Sequence, residues 1–301
     1  MAAVHVAGVE ISKPDKVLFP GDDTGADISK RELAEYYAAV AEVTVPHLQD
    51  RPVNMQRFPD GIGGQGFYEK KTPQHFPDWV TSVTVQTSDG SQQQVVVDDA
   101  RSLVYLADQA CVTPHVWLSR SDRLDHPDQL VFDLDPSSDD LAKLRDAARA
   151  VADLLAEVGL TPYLKTTGSR GYHVQAVLDR SADFDTVRGF ARELADLLAA
   201  RQPERLTTEQ RKNKRGDRIY IDCMRNAYAQ TAVPAYAVRA RPGAPVATPI
   251  DRAELSKVRP DGHTIASVTR RLAQRADPWA DMSRRPHSLD EPWEKLRALA
   301  R

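Results

Sequence analysis

Two carboxylates one residue apart, Asp133 and Asp135 in QLVFDLDP (129–136), are the pair in this chain best spaced to do chemistry. The run reads as a buried strand. Side chains on a strand alternate faces, so both carboxylates point one way and Leu134 the other. At strand rise their Cα atoms lie about 6.5 Å apart, near enough for flexible side chains to converge on cations about 3.5–4 Å apart, as two-metal phosphoryl transfer requires. Pro136 cannot continue a central ladder and marks the strand end, where ligand clefts commonly open. The same peptide also fits a plain capped strand end, with Asp135 or Ser137 capping a helix that starts near Ser138.

Other residues could complete such a site. Asp222 ends RIYID, on the face that carries Arg218 and Tyr220. A third strand-end carboxylate suits hard cations such as Mg²⁺ or Mn²⁺, which take oxygen donors and leave positions for phosphates. Taken alone, it would simply pair with Arg218 or Arg225. In KTTGSRGYHV (165–174) two glycines bracket Ser-Arg and allow a tight turn whose N–H groups can form an anion-binding concavity. Thr167, Ser169 and Arg170 add hydroxyls and a cation, and His173 shares a strand face with Gln175. The alternative is a hairpin turn with a satisfied core histidine. RKNKRGDR (211–218), which includes Arg215, leads directly into the Asp222 strand, where it could meet phosphates or be a solvated loop. Arg239 in PAYAVRAR is a further candidate cation. His115, in TPHVWLS, could bind a phosphate or a metal, or be a partly buried polar residue.

The elements that must position these groups are mixed in order. VHVAGVEIS alternates like an opening strand, and Ser29 with Glu32 forms a capping-box pattern for a helix through about residue 42. RPVNMQRF reads as a strand before the glycine-rich loop PDGIGGQG. WVTSVTVQT and QQQVVVDD bracket the turn SDG as a hairpin. ARSLVYLADQA reads as a short helix, and HVWLS as a strand. A long amphipathic helix, DLAKLRDAARAVADLLAEVG, ends at Gly159. TPYLKTT and YHVQAVLD are strands, FDTVRGFARELADLLAARQ a helix, and DRIYIDC and PAYAVRAR strands. The tail from about 251 reads as mostly helical, ending in DEPWEKLRALAR. Hairpins beside strand–helix–strand units imply an α+β fold with mixed or antiparallel sheets flanked by helices.

At 301 residues the chain can bury a large core, and 41% hydrophobic and 28% charged residues describe an ordinary globular protein. A net charge of −3 does not announce a nucleic-acid binder, so a polyanion site must be a local patch. Cys111 and Cys223 lack metal-ligand spacing and point to a reducing compartment. The start MAAVHVAGVEISKPDK has no signal-peptide pattern, and no apolar run approaches a membrane span. A cytoplasmic protein without a membrane partner is the expectation.

KPDKVLFP, the HxW around His115, VFDLDP, TTGSRGYH and RIYIDCMRN occur in one order over nearly the whole chain. That pattern resembles the polymerase domain of bacterial ligase D and its stand-alone relatives, within the archaeo-eukaryotic primase superfamily. The resemblance implies one primase-polymerase domain over 1–301: an N-terminal part to about 110 with 5′-phosphate and template contacts, a catalytic core of about 111–245, and a helical segment of about 246–301. It implies that Asp133, Asp135 and Asp222 bind two Mn²⁺ or Mg²⁺ ions. His115, Thr167, Ser169, Arg170, His173, Arg215 and Arg239 would contact the incoming NTP or dNTP. Phe67 and Tyr68 would meet the templating region, where aromatic rings accept any base face; core packing under the glycine-rich loop is their plainer reading. Lys16 and Lys30 would hold the 5′-phosphate across a gap.

Three positions depart from the family pattern. Gln56 stands where a third phosphate-binding lysine is usual, with Arg57 facing the other side of the strand. Thr167 replaces a serine, and Arg225 a frequent glutamine, which adds charge beside the metals. No Lys-x-Asp-Gly motif occurs, so a separate ATP-dependent ligase and Ku are the implied partners, with DNA beside the nucleoid as substrate. The function implied is template-directed nucleotidyl transfer in non-homologous end joining. A non-catalytic DNA-end module and a two-metal phosphoesterase or nuclease are the alternatives.

Overall fold

In the computed structural model, which describes residues 3–21, 25–87 and 90–301, the strand Gln129–Asp135 sorts its side chains onto two faces. Leu130, Phe132 and Leu134 pack into one hydrophobic core, and Asp133 and Asp135 face the other way. Its neighbours follow the same rule: Tyr172, Val174 and Ala176, and Ile219 and Ile221, enter that core, leaving His173, Gln175, Tyr220 and Asp222 on the polar face. The helices Leu141–Glu157 and Phe184–Arg201 cover the apolar face. Each fully buried Leu or Phe there contributes about 1.5–3 kcal/mol.

The central sheet has six strands in the order Leu206–Thr207, Ile219–Asp222, Gln129–Asp135, Tyr172–Val177, Tyr163–Thr166, Pro249–Ile250. Only its first pair is parallel. A second, antiparallel sheet runs Thr231–Ala232, Cys111–Trp117, Val53–Arg57, Phe67–Glu69. A second core gathers Leu33, Tyr37, Leu48, Val53, Met55 and Val112 with Val246, Val268 and Trp279 from much later in the chain. With the helices Lys30–Ala39, Ala41–Leu48, Ala100–Asp108, Ile265–Gln274 and Asp290–Leu299, the architecture is α+β, as expected. Among the described residues no helix is long and apolar enough to cross a membrane.

Several elements differ from the sequence reading. VHVAGVEIS is not one strand but two short ones, His5–Val6 and Val9–Glu10, folded back through Ala7 and Gly8, both at positive φ. The helix capped by Ser29 and Glu32 ends at Ala39, and a second one carries on to Leu48 with Pro46 inside it. The hairpin forms as Ser82–Thr87 with Gly90–Val95, while Ser88 and Asp89 of its turn, like Met1 and Ala2 of the opening segment, lie outside the described residues. PAYAVRAR is not a strand: Pro234 has no N–H to give, Tyr236 sits at φ 63°, and only Val238 forms an isolated bridge, to Val246. The tail holds two α-helices, Ile265–Gln274 and Asp290–Leu299, separated by irregular chain that Pro278 and Pro286 punctuate.

The long helix starts at Leu141 rather than near Ser138. Its cap is Asp140, whose carboxylate accepts the Lys143 N–H at 3.0 Å. Neither Asp135 nor Ser137 caps it, which leaves Asp135 free for other work.

Candidate active site

Strand register brings the three aspartates together. Asp133 lies directly opposite Asp222 across an antiparallel ladder, and Asp135 opposite Tyr220. Opposed residues share a face and have neighbouring Cβ atoms, so three carboxylates from two strands cluster at one sheet end. On its other side Asp133 lies opposite His173, which in turn lies opposite Lys165.

These polar residues are wired in series. The fully buried Lys165 Nζ donates to the Val233 carbonyl at 2.7 Å and faces His173 Nδ1 at 2.9 Å. The ionised Asp133 carboxylate only accepts, so Nε2 carries the hydrogen that faces its Oδ1 at 3.3 Å, and Nδ1 accepts from Lys165. Burial lowers the His173 pKa to about 4, with Lys165 acting in the same direction, so the imidazole is neutral at physiological pH. Burial also draws the Lys165 pKa well down, against the pull of Asp133. Burial alone would raise the Asp133 carboxyl, but His173, Arg225 and Lys165 outweigh it and hold that carboxyl well below the usual range. Arg225 Nε stands 3.6 Å from Asp133 Oδ2.

Asp135 and Asp222 are different. Burial and the two neighbouring aspartates raise Asp135 to about 6. Burial and Asp133 raise Asp222 as well, although the Met224 N–H (2.7 Å) and the Tyr220 hydroxyl (3.4 Å) donate to it. The expected alternative, a plain Asp222 ion pair, does not occur: Arg218 is turned onto the carbonyls of Arg215 and Lys214, and Arg225 onto Asp133. Carboxylates this close without a basic partner of their own form a hard-oxygen set that a divalent cation would neutralise. Among the described residues, however, no three His, Cys, Asp or Glu side chains close around one point as a ready-made cage. The set fits an open site whose remaining ligands come from substrate rather than an enclosed structural one.

A cavity of about 340 Å³ opens over Asp133 and Asp135. Its far wall belongs to the second sheet and carries Tyr68 and His115, ring centroids 5.5 Å apart. Burial, with Arg239 and Arg225 assisting, depresses His115 to about 3, so it too is neutral, and its Nε2 lies 3.5 Å from the Gln56 amide oxygen. Arg170, Arg225 and Arg239 line the same cavity. Arg239 is positioned by donating to the Thr167 carbonyl at 2.9 Å, and Arg170 reaches out to Asp139 at 3.6 Å.

The GSRG turn sits hard against this floor. Gly168 has φ 62°, and a Cβ there would press on the Arg239 side chain; a Cβ on Gly171 would overlap the Leu134 carbonyl oxygen. The Gly168 N–H is taken by Pro260 and the Gly171 N–H by the Thr167 hydroxyl, which itself donates to Gly171 O at 2.8 Å. The Ser169 and Arg170 N–H groups have no partner among the described residues, so half of the expected anion concavity is open. The Ser169 hydroxyl accepts from Arg241 at 2.5 Å.

Of the other expected residues, Arg215, Phe67, Lys16 and Lys30 do not line this cavity. Arg215 is buried in its own loop, donating to the Glu209 and Gln210 carbonyls and stacked 3.8 Å above Tyr220. Phe67 and Tyr68 are exposed at 44% and 57%, so they are not core packing. Lys30 is buried against Ser12 (2.9 Å) and Asp108 (3.3 Å), and burial lowers its pKa despite Asp108. Lys16 is the more accessible of the expected pair and meets Asp60 at 3.1 Å. Lys16 and Lys13 add smaller repulsions that also lower the Lys30 pKa. Gln56 faces His115 instead, and Arg57 is spent on Glu69 and the Gln109 carbonyl.

Lys165 is the residue that sequence reasoning passed over. Its signal was period-two spacing: with a hairpin at GSRG, Lys165 falls opposite His173.

Comparison with known proteins identifies the family of this fold. The profile described as LigD, primase-polymerase domain, matches residues 29–279. The multifunctional non-homologous end joining protein LigD of Pseudomonas aeruginosa is 33% identical over 279 residues, covering 91% of this chain and 33% of that protein. The bifunctional LigD of Bacillus subtilis is 29% identical over 94% of this chain and 45% of its own length. The chain thus spans about a third to under half of these relatives. The polymerase domain of Mycobacterium tuberculosis ligase D, solved in complex with DNA, superposes with a TM-score of 0.85 at 30% identity, covering 93% of this chain and 99% of that one. With matching sequence and fold, this chain belongs to the LigD primase-polymerase domain family of DNA-directed nucleotidyltransferases.

Proposed function

We propose that the chain extends a primer 3′-hydroxyl on a DNA template and fills short gaps bounded by a 5′-phosphate, as the polymerase of a non-homologous end-joining pathway. The observation that carries this reading is the shared cavity, with carboxylates on one wall, three arginines around it and an aromatic ring with a neutral histidine opposite. Cation, polyphosphate and base each find their own kind of partner within it.

Two divalent ions, Mn²⁺ or Mg²⁺, on Asp133, Asp135 and Asp222 would lower the pKa of the primer hydroxyl and offset charge on the transferring phosphoryl group. The protein's own groups bind and orient. Arg170, Arg239 and the free N–H groups of Ser169 and Arg170 take the triphosphate, with Thr167 closing the turn that presents them. His173, backed by Lys165, fixes one Asp133 oxygen and leaves the other toward the cavity. Tyr68 stacks on the base, Phe67 extends that platform toward the template, and neutral His115 offers a hydrogen bond without adding charge. Arg215 braces Tyr220 and the Asp222 strand. At the far side of the gap Lys16 takes the 5′-phosphate, with Lys30 as a buried charge behind it. Parts 1–110, 111–245 and 246–301 divide DNA contact, catalysis and support of both cores. Sealing then needs an ATP-dependent ligase activity, with Ku at the DNA end.

The test is extension on a one-nucleotide gap, with and without the 5′-phosphate, using NTPs or dNTPs and Mn²⁺ or Mg²⁺ at fixed salt. Templated addition that is faster with the phosphate supports the reading. DNA binding without addition would indicate a non-catalytic module, and loss of labelled ends without nucleotide a nuclease.

A further inference from the structure

Beside the catalytic cavity lies a second one of about 360 Å³, and its lining is unusual. Asn54, Gln94 and Trp117 are 7%, 2% and 2% exposed, and all three line it. The Asn54 amide oxygen, the Gln94 amide oxygen and the Trp117 indole N–H have no hydrogen-bond partner among the described residues. Buried polar atoms are costly to leave unmade, and three at the wall of one cavity mark a place where something else completes them. A small turn of either amide brings its donors or acceptor to face an occupant.

The position of the cavity says what that occupant is. His115 and Trp117 lie two residues apart on one strand and so share a face. Asn54 lies directly opposite His115, and Thr231, which lines the catalytic cavity, lies opposite Trp117. Tyr68 and, just past the end of the same strand, Lys70 repeat the step, one in each cavity. The second cavity is therefore the next dyad along the same sheet face, about 7 Å beyond the base platform of Tyr68 and His115. Its outer wall is Tyr228, edge-on to Trp117 at 5.1 Å and 41% exposed, and Lys70 stands exposed at its mouth. An aromatic face, amides and an indole N–H that can read an edge, and a cation outside form the chemistry that holds a single unpaired nucleobase and its phosphate.

We propose that this cavity binds the unpaired template base next to the templating one. In a gap only the template strand has unpaired bases, so a base held one step beyond the catalytic platform belongs to that strand. This rests on the polymerase reading of the neighbouring site. Holding that base keeps the template bent away from the primer and presents one templating position at a time.

The test uses gapped duplexes with 2-aminopurine at single template positions, titrated with the 301-residue chain in EDTA so that no turnover occurs. Stacking on Tyr228 should quench the probe at the position after the templating base and not two positions further. Tyr228→Ala should restore that emission and weaken binding of a two-nucleotide gap about tenfold, with less than a twofold effect on a nick. Should Tyr228→Ala lose its fold, Gln94→Leu, which keeps volume and removes the amide, reads the same loss of two-nucleotide-gap binding with Tyr228 in place. Emission independent of position, or a readout unchanged in a folded variant, overturns the proposal and leaves a cavity that holds ordered water only. Extension on the same duplexes, run with Mn²⁺, keeps the two readings apart. Quenching without extension refutes the polymerase reading, and extension without Tyr228-dependent quenching refutes the base pocket.

Discussion

Removing one charge from the carboxylate cluster should stabilise the metal-free protein while destroying its chemistry. Burial, Asp133 and Asp222 together raise the Asp135 carboxyl to about 6, about two units above a free aspartate. At 1.36 kcal/mol per unit this is a strain of about 3 kcal/mol when Asp135 is ionised, and access of solvent to this half-buried group reduces it to about 1–2 kcal/mol. An acid whose folded pKa is raised destabilises the fold only where it must ionise. The penalty is absent below about pH 4, grows as pH rises through 6, and is complete above. Asp135→Asn keeps the shape and removes the charge. In EDTA at pH 8 it should raise the melting temperature by a few degrees, at about 2–4 °C per kcal/mol, and the gain should vanish at pH 4. Mn²⁺ at a hundred times its dissociation constant should stabilise the wild type by about 2.7 kcal/mol per site, and the variant by less. Calorimetric scans over pH with and without Mn²⁺ read both effects. A melting temperature that falls, or a gain equally large at pH 4, would refute the argument that these carboxylates are held close and unneutralised.

Lys165→Met removes the donor behind His173 and should cost on the order of 3 kcal/mol in stability, with metal affinity and extension down about 10–100-fold; Mn²⁺ titration and single-turnover extension measure these. Lys16→Ala should abolish the preference for a 5′-phosphorylated gap and reduce the salt dependence of binding by about one phosphate contact, read by anisotropy across a salt series. Tyr68→Ala should weaken nucleotide binding by about 1–3 kcal/mol for all four bases alike. His115 and the partly buried His47 are both held neutral with values depressed to about 3, chiefly by burial. Each contributes stability that is complete above about pH 6.5 and is lost as pH falls toward 3, up to about 4 kcal/mol apiece. His115→Gln should flatten the acid limb of a urea-stability profile over that window.

Local signals were legible where one strand or one cap decides the outcome. The alternation of QLVFDLDP, the Ser29–Glu32 box and the glycines of GSRG all read correctly because their causes lie within a few residues. What the sequence did not disclose depends on partners far along the chain. That Asp133 meets Asp222, and that His173 stands between Asp133 and Lys165, follows from register among four strands. Arg215 and Lys30 carried the right charge for phosphate, but burial against their own neighbours decides what they touch. PAYAVRAR misled because its alternation ignores Pro234 and the left-handed Tyr236. The second cavity was invisible because Asn54, Gln94 and Trp117 come from three strands of two different sheets.

The most direct measurement is Mn²⁺-dependent addition of the single templated nucleotide to a one-nucleotide gap, comparing the wild type with Asp222→Asn. That carboxylate comes from a strand distant in sequence, so its loss tests whether the three aspartates serve one pair of cations. We expect one templated addition by the wild type and none above background by a variant that retains its melting temperature. Undiminished addition by folded Asp222→Asn would contradict the account.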